Sequence, residues 1–94
     1  MPYILKSKRK LFKEILANIK ETIEILAVSD KDCIVAGDLN YLITKILDIY
    51  IEINGECYAN YNEVMGMLEC CKQEYYRKRI AIYEDKKEKL NGKV

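Results

Sequence analysis

The side chains best suited to chemistry in this sequence are Tyr, Glu and Arg residues in its last third. The chain has eight Tyr against one Phe, and three Arg against thirteen Lys. Arg presents a planar fork that grips phosphate or carboxylate, and Tyr combines an apolar ring with a polar tip. Helical spacings of four, three, four and three place five residues on one face, near Arg77 and Arg79: Glu69, Gln73, Tyr76, Ile80 and Tyr83. This face is predicted to bind an anionic group.

The same face also admits a purely structural interpretation. A Glu69–Arg77 pair, or Tyr–Glu contacts, would tie the third predicted helix to the start of the second helix near Asn40. The excess of Tyr has a compositional explanation as well, because an AT-rich genome enriches Tyr, Ile, Lys and Asn together. The sequence therefore leaves the binding role and the structural role open.

Catalysis is not predicted, because the groups that it usually needs are missing from the sequence. The chain has no His, so a Ser or Cys nucleophile would lack its usual base. Carboxylates alternate with Lys as they do on solvated helix surfaces, and no phosphate-cradling Gly-rich motif is present. We therefore expect a protein that is not an enzyme, with no catalytic residue and no cofactor.

The four Cys residues are predicted to be reduced thiols: Cys33, Cys57, Cys70 and Cys71. The sequence has neither an apolar run of ~20 residues nor a signal peptide, which predicts a cytoplasmic protein without membrane insertion, and cytosolic thiols stay reduced. A zinc site is the alternative, but His and CxxC spacing are both absent. The two adjacent Cys would also point about 100° apart on a helix. We expect no metal site.

Apolar residues recur at helical spacing in three segments, which predicts three helices. The first runs from about residue 8 to 28, the second from about 39 to 53, and the third from about 61 to the high 80s. Residues 29–37 are predicted to form a loop.

Helix ends are predicted from capping residues. Asp38 is predicted to accept hydrogen bonds from free amides at the start of the second helix, and Asn54-Gly55 to end it. Asn60 and Glu63 match a capping box at the start of the third helix. Gly66 inside that helix costs ~1 kcal/mol relative to Ala, which indicates the close approach of a neighbouring helix.

The second helix is apolar around more than half of its circumference. It is therefore either the central helix or part of a subunit interface, with only a narrow polar strip of Lys45, Asp48 and Glu52. We predict an all-α protein, an antiparallel three-helix bundle that forms oligomers. Residues 1–94 are expected to form a single domain, with an extended lead-in over 1–7 and a frayed tail over 88–94.

Charge is unevenly distributed along the chain. Residues 1–13 carry five basic and no acidic side chains, residues 14–74 carry four basic and twelve acidic, and residues 75–94 carry seven basic and three acidic. The basic ends are either solvated surfaces or a single patch that meets an anionic partner.

Several motifs resemble an uncharacterised family of small proteins from phages, prophages and bacteria. They are Met1-Pro2-Tyr3-Ile4, Gly37-Asp38-Leu39-Asn40-Tyr41, Asn62-Glu63-Val64-Met65-Gly66, Tyr76-Arg77 and Tyr83-Glu84-Asp85-Lys86-Lys87. The resemblance implies a phage or mobile-element setting and no assigned activity. Ile82 stands where Pro is common in that family, which predicts a straighter third helix here. The polar positions of the family pattern coincide with the candidate binding residues: Asn40, Tyr41, Glu69, Tyr76, Arg77, Tyr83 and Asp85.

The function predicted from these features is stoichiometric binding without catalysis. The resemblance favours a phage or mobile-element accessory or anti-defence protein that binds a host or phage protein, or that sequesters a small anionic or nucleotide ligand. One alternative is a nucleic-acid-binding accessory protein whose basic ends contact phosphates, with an affinity that falls steeply with salt. The other is a purely structural or assembly protein.

Overall fold

The computed structural model describes residues 3–29 and 34–93, and every regular element in this part of the chain is helical. The prediction of an all-α protein is therefore confirmed. The elements are α1 (Lys6–Arg9), a 3-10 turn (Lys10–Phe12), α2 (Lys13–Ser29), α3 (Ala36–Asn54), α4 (Tyr58–Tyr75), a π-helical segment (Tyr76–Ile80) and α5 (Ala81–Asn91). They make up three helical stretches, over residues 6–29, 36–54 and 58–91. No helix in the described ranges is long and apolar enough to cross a membrane.

The described residues divide into two compact units, residues 3–50 and residues 51–93. The predictions of a single domain and of an antiparallel bundle stay predictions. Burial is sparse in both units. Val64 on α4, with 7% of its surface exposed, is the only buried residue among those described. The first unit has half-buried apolar side chains on α2 and α3: Ile19, Ile23, Leu42 and Leu47.

The first helical stretch begins at Lys6, two residues inside the predicted extended lead-in. Leu5 precedes it with extended backbone angles (φ −63°, ψ 148°) and accepts hydrogen bonds from the amides of Lys8 and Arg9 at 3.0 and 3.2 Å. Met1 and Pro2 lie outside the described residues.

Asp38 has a different position at the start of α3 from the one predicted. The helix begins at Ala36, so that Asp38 lies in its first turn instead of preceding it. Its Oδ2 accepts a hydrogen bond from the Val35 amide at 2.9 Å. A carboxylate at the third helical position that reaches back to the amide before the helix supplies half of a capping box. Of the predicted loop, residues 30–33 lie outside the described residues.

The end of α3 is confirmed as predicted, but the predicted start of the third helix is wrong. Gly55 has a φ of 102°, and its amide donates to the Ile51 carbonyl at 2.7 Å. α4 begins at Tyr58, before Asn60, so no capping box forms there. Instead, Nδ2 of Asn60 donates to the carbonyls of Asn54 and Gly55 at 3.2 and 2.8 Å. The Asn60 amide thereby satisfies carbonyls that the end of α3 leaves free.

The third helical stretch continues further than predicted. It ends at Asn91, beyond the start of the tail predicted to fray. Gly92, which follows it, has a φ of 85°. The Gly92 amide donates to the Glu88 carbonyl at 2.8 Å. The stretch also changes its hydrogen bonding at Tyr76–Ile80, where a π-helical segment replaces the α-helix. Val94 lies outside the described residues.

Gly66 has no close neighbour, which corrects the prediction of a helix packed against it. A methyl group added at this position meets no atom within 4 Å among the described residues. The position is therefore open, and no close contact offsets the destabilising effect of Gly66 on the helix.

We expect opposite results from Ala substitutions at Gly66 and Gly55. Gly66→Ala should raise the free energy of unfolding by about 1 kcal/mol, because Ala loses less backbone entropy in a helix. Gly55→Ala should lower it by about 1–2 kcal/mol, because a side chain is strained at a φ of 102°. Urea unfolding followed by circular dichroism measures both. A destabilising Gly66→Ala would show that another surface packs against Gly66.

Candidate functional site

Three of the predicted site residues come together at the junction of α4 and the π-helical segment. Glu69, Tyr76 and Arg77 line an open groove of about 670 Å³. Lys72, Gln73, Glu74 and Ile80 complete its lining. The groove lies within the second unit and combines two cationic side chains, two carboxylates, an amide and a phenol ring. Gln73 and Ile80, which the sequence placed on the same face, line this groove too.

Hydrogen bonds hold the polar groups of this groove in two local pairs. Nη2 of Arg77 donates to Oε1 of Glu74 at 2.6 Å, and Nε2 of Gln73 donates to Oε1 of Glu69 at 3.1 Å. The proposed Glu69–Arg77 pair is thus replaced by pairs between closer neighbours along the helix. The Arg77 side chain remains 65% exposed. The Glu74 side chain is 30% exposed, so the pair lies partly in contact with the helix and partly in solvent.

Arg79 faces a different environment from Arg77. Its guanidinium lies 5.8 Å from the centre of the Tyr75 ring, within the range of a cation–π interaction. Arg79 does not line the groove. The two Arg residues of the segment therefore make different contacts. A substitution at Arg79 is thus a matched control for one at Arg77.

The π-helical segment explains why Tyr83 is not part of this groove. The prediction of this face assumed that α-helical spacing continues from Glu69 to Tyr83. A π-turn closes one residue later than an α-turn, so the Tyr76–Ile80 segment takes up an extra residue and rotates everything after it. No residue type in the sequence marks such a segment. π-helical turns occur frequently at functional sites.

Tyr83 and Asp85 line a second, shallower surface on α5. Glu84, Lys87 and Glu88 line it with them, and Nζ of Lys87 lies 5.5 Å from the centre of the Tyr83 ring. Exposed polar side chains on a single helix are typical of a solvated surface. These two predicted residues are thus placed apart from Glu69, Tyr76 and Arg77.

Asn40 and Tyr41 lie on α3, in the first unit. Tyr41 lines an apolar groove of about 360 Å³ between α2 and α3, and Nζ of Lys45 lies 5.5 Å from the centre of its ring. Asn40 does not line that groove, which is formed mainly by Ile19, Ile23, Leu26, Ile34 and Leu42. The sequence analysis did not identify this groove as a site. The sequence feature that could have indicated this groove is the apolar stripe along the first two predicted helices.

The thiols that the structure describes are free: Cys57, Cys70 and Cys71. Cys33 lies outside the described residues. No group of three or more His, Cys, Asp or Glu side chains within residues 3–29 and 34–93 is placed to hold a metal ion.

The family described as a domain of unknown function (DUF6899) matches residues 1–94, the whole chain. No curated protein and no solved structure shows significant similarity to it.

Proposed function

We propose that this chain, which belongs to the DUF6899 family of domains of unknown function, is a non-catalytic protein that binds an anionic group of its partner stoichiometrically. The groove around the π-helical segment is the binding site in this proposal. Lys72 and Arg77 supply the positive charge, and Tyr76 supplies a ring against which a planar group packs.

The observation that carries this proposal is the placement of Arg77. Its guanidinium lies in an open groove, on a π-helical segment, and donates a hydrogen bond of 2.6 Å to Oε1 of Glu74. A phosphate or carboxylate of a ligand offers the same acceptor geometry as Glu74. In this proposal the anionic group of the partner takes the place of Glu74 beside Arg77.

The setting that we propose is the cytoplasm of a bacterial host, with a phage or mobile element as the source of the gene. The resemblance of the sequence motifs to phage and prophage proteins supports this setting. The partner is then a host or phage protein with an exposed acidic group, or a small ligand such as a nucleotide. Inhibition of a host defence component is the proposed biological role.

Isothermal titration calorimetry tests the proposal with three probes: ATP, a Glu-rich peptide and a single-stranded oligonucleotide. We expect at least one probe to bind with a one-to-one stoichiometry. Arg77→Ala should weaken that binding at least about tenfold, because it removes a charge-assisted bidentate contact. Arg77→Lys should recover only part of the affinity, because Lys keeps the charge but loses the fork.

Arg79→Ala is the matched control, since Arg79 carries the same charge on the same segment but lies outside the groove. It should change the affinity by less than about twofold. If none of the probes binds, or if both Arg variants weaken binding equally, the groove is not the site. Steep loss of oligonucleotide binding with salt, equal for both variants, would favour a nucleic-acid-binding protein instead.

An assembly protein is the second candidate, because apolar side chains are widely exposed. α2 and α3 expose large aliphatic residues to about half of their surface, among them Ile15, Leu16, Ile46 and Ile49. Such patches mark interaction surfaces in small proteins. We propose that this apolar surface supports oligomers and the antiparallel packing of the three helices. Sedimentation equilibrium tests it, and a strictly monomeric chain contradicts it.

A further inference from the structure

Glu69 has no role in the proposed binding of an anion, although its side chain lines the same groove. The charged side chains that line the groove are Lys72, Arg77, Glu69 and Glu74, so positive and negative charges there are equal in number. Oε1 of Glu69 accepts a hydrogen bond from Nε2 of Gln73 at 3.1 Å. The groove is therefore not a purely cationic surface, and its carboxylates restrict the anions that it can accept.

Glu69 and Lys72 lie three residues apart on α4 but do not pair with each other. Side chains at this spacing are neighbours on a helix surface, where opposite charges attract. Among the residues that the structure describes, the groove contains one ion pair, between Arg77 and Glu74. Glu69 instead accepts from the neutral amide of Gln73. Within the described part of the chain, no Lys or Arg side chain thus neutralises Glu69.

We propose, building on the proposed function, that the partner is a protein segment that presents a basic side chain to Glu69 and an acidic side chain to Arg77. Glu69 then determines specificity. Its carboxylate accepts from a Lys or Arg of the partner, and it repels a ligand that carries only negative charge. Nucleotides and nucleic acids present only negative charge at their phosphates, so the groove disfavours them. It selects a protein segment of mixed charge.

The spacing of Glu69 and Arg77 sets the spacing of the two charges on the partner. The two residues are eight positions apart, which corresponds to about 12 Å along a helix axis. A partner helix places residues seven positions apart on the same side, separated by about 10.5 Å. Flexible Glu and Lys side chains span the small remaining difference. An acidic and a basic residue at positions i and i+7 of an exposed helix therefore match the groove.

Two matched peptides test this proposal. Both are helical, Ala- and Gln-based peptides of about 20 residues. One carries Glu and Lys seven positions apart, and the other carries Glu at both positions. In an NMR titration of the full chain, we expect the mixed-charge peptide to bind at least about fivefold more tightly than the acidic peptide. Glu69→Gln should remove this preference, because the peptide's Lys loses its charged acceptor and the acidic peptide is no longer repelled.

Glu63→Gln is the matched control for Glu69→Gln. Glu63 is an exposed residue of the same helix and does not line the groove, and its substitution changes the net charge by the same amount. It should leave the preference between the peptides within about twofold of that of the unmodified chain. The proposal is overturned if the acidic peptide binds as tightly as the mixed-charge peptide, or if Glu63→Gln removes the preference as Glu69→Gln does.

Arg77→Ala separates failure of this proposal from failure of the proposed function. If the two peptides bind equally tightly and Arg77→Ala weakens both, the groove binds anions and only the mixed-charge partner is wrong. If neither peptide binds, or if Arg77→Ala changes neither affinity, the binding site itself is wrong and so is the mixed-charge partner. ATP, titrated in parallel, should bind more weakly than the mixed-charge peptide. Tighter binding of ATP would overturn the mixed-charge partner in favour of a nucleotide.

Discussion

Val64→Asp should unfold the second unit or leave it only marginally stable. Val64 is 7% exposed and is the only buried residue among those described. Asp removes its apolar contacts and buries a carboxylate without a partner, which together cost at least about 3 kcal/mol. That is a large part of the stability of a small domain, about 5–15 kcal/mol in total. Thermal unfolding followed by circular dichroism should therefore show a greatly lowered midpoint.

Met65→Asp is the matched control for that experiment. Met65 is the next residue along α4, it is 65% exposed, and the substitution introduces the same carboxylate into the same turn of helix. Net charge then changes equally in the two variants, and helix propensity falls more in Met65→Asp, since Val and Asp have similar propensities and Met has a better one. Met65→Asp should alter stability by less than about 0.5 kcal/mol in the monomer. Equal destabilisation by both variants would mean that the burial of Val64 does not stabilise this unit.

The three helical stretches were predictable from apolar periodicity, and their ends were predictable to within about three residues. The errors at the two starts have one physical cause. Asp38 and Asn60 both have side chains that favour the residue before a helix, yet each lies at the third helical position. From there Asp38 accepts from the amide before its helix, and Asn60 donates to carbonyls of the preceding helix. Residue type alone does not distinguish the residue before a helix from the third residue of the helix.

The candidate site was predictable only where the helix keeps its α-helical spacing. Glu69, Gln73 and Tyr76 share the groove as their spacing predicts, with Arg77 beside them, and Ile80 lines it from the end of the π-helical segment. Tyr83 does not, because the π-helical segment lies between it and Tyr76. Whether a helix takes up one extra residue depends on the contacts of the elements before and after it. Spacing counted along the sequence contains no such information.

Deletion of Lys78 should remove the π-helical segment and keep the helix. Five residues of a π-helical segment advance around the axis about as far as four residues of an α-helix, since each π-turn contains an extra residue. A four-residue segment therefore joins α4 to α5 as continuous α-helix, with Ala81 still on its half-buried side. The thermal midpoint should stay at or above that of the unmodified chain. Binding at the groove should weaken, because Arg77 and Ile80 lose the wider turn on which they lie.

Deletion of Lys72 provides the contrast, since it removes the same residue type six positions earlier. Lys72 lies within α4, where every turn is α-helical, so the deletion shifts the residues between it and the π-helical segment around the helix axis. Gln73, Glu74 and Tyr75 rotate by about 100° relative to Val64, and the half-buried Glu74 leaves its position. We expect a midpoint several degrees lower than that of the Lys78 deletion. Equal midpoints for the two deletions would show that the rotational position of these residues relative to Val64 does not stabilise the unit.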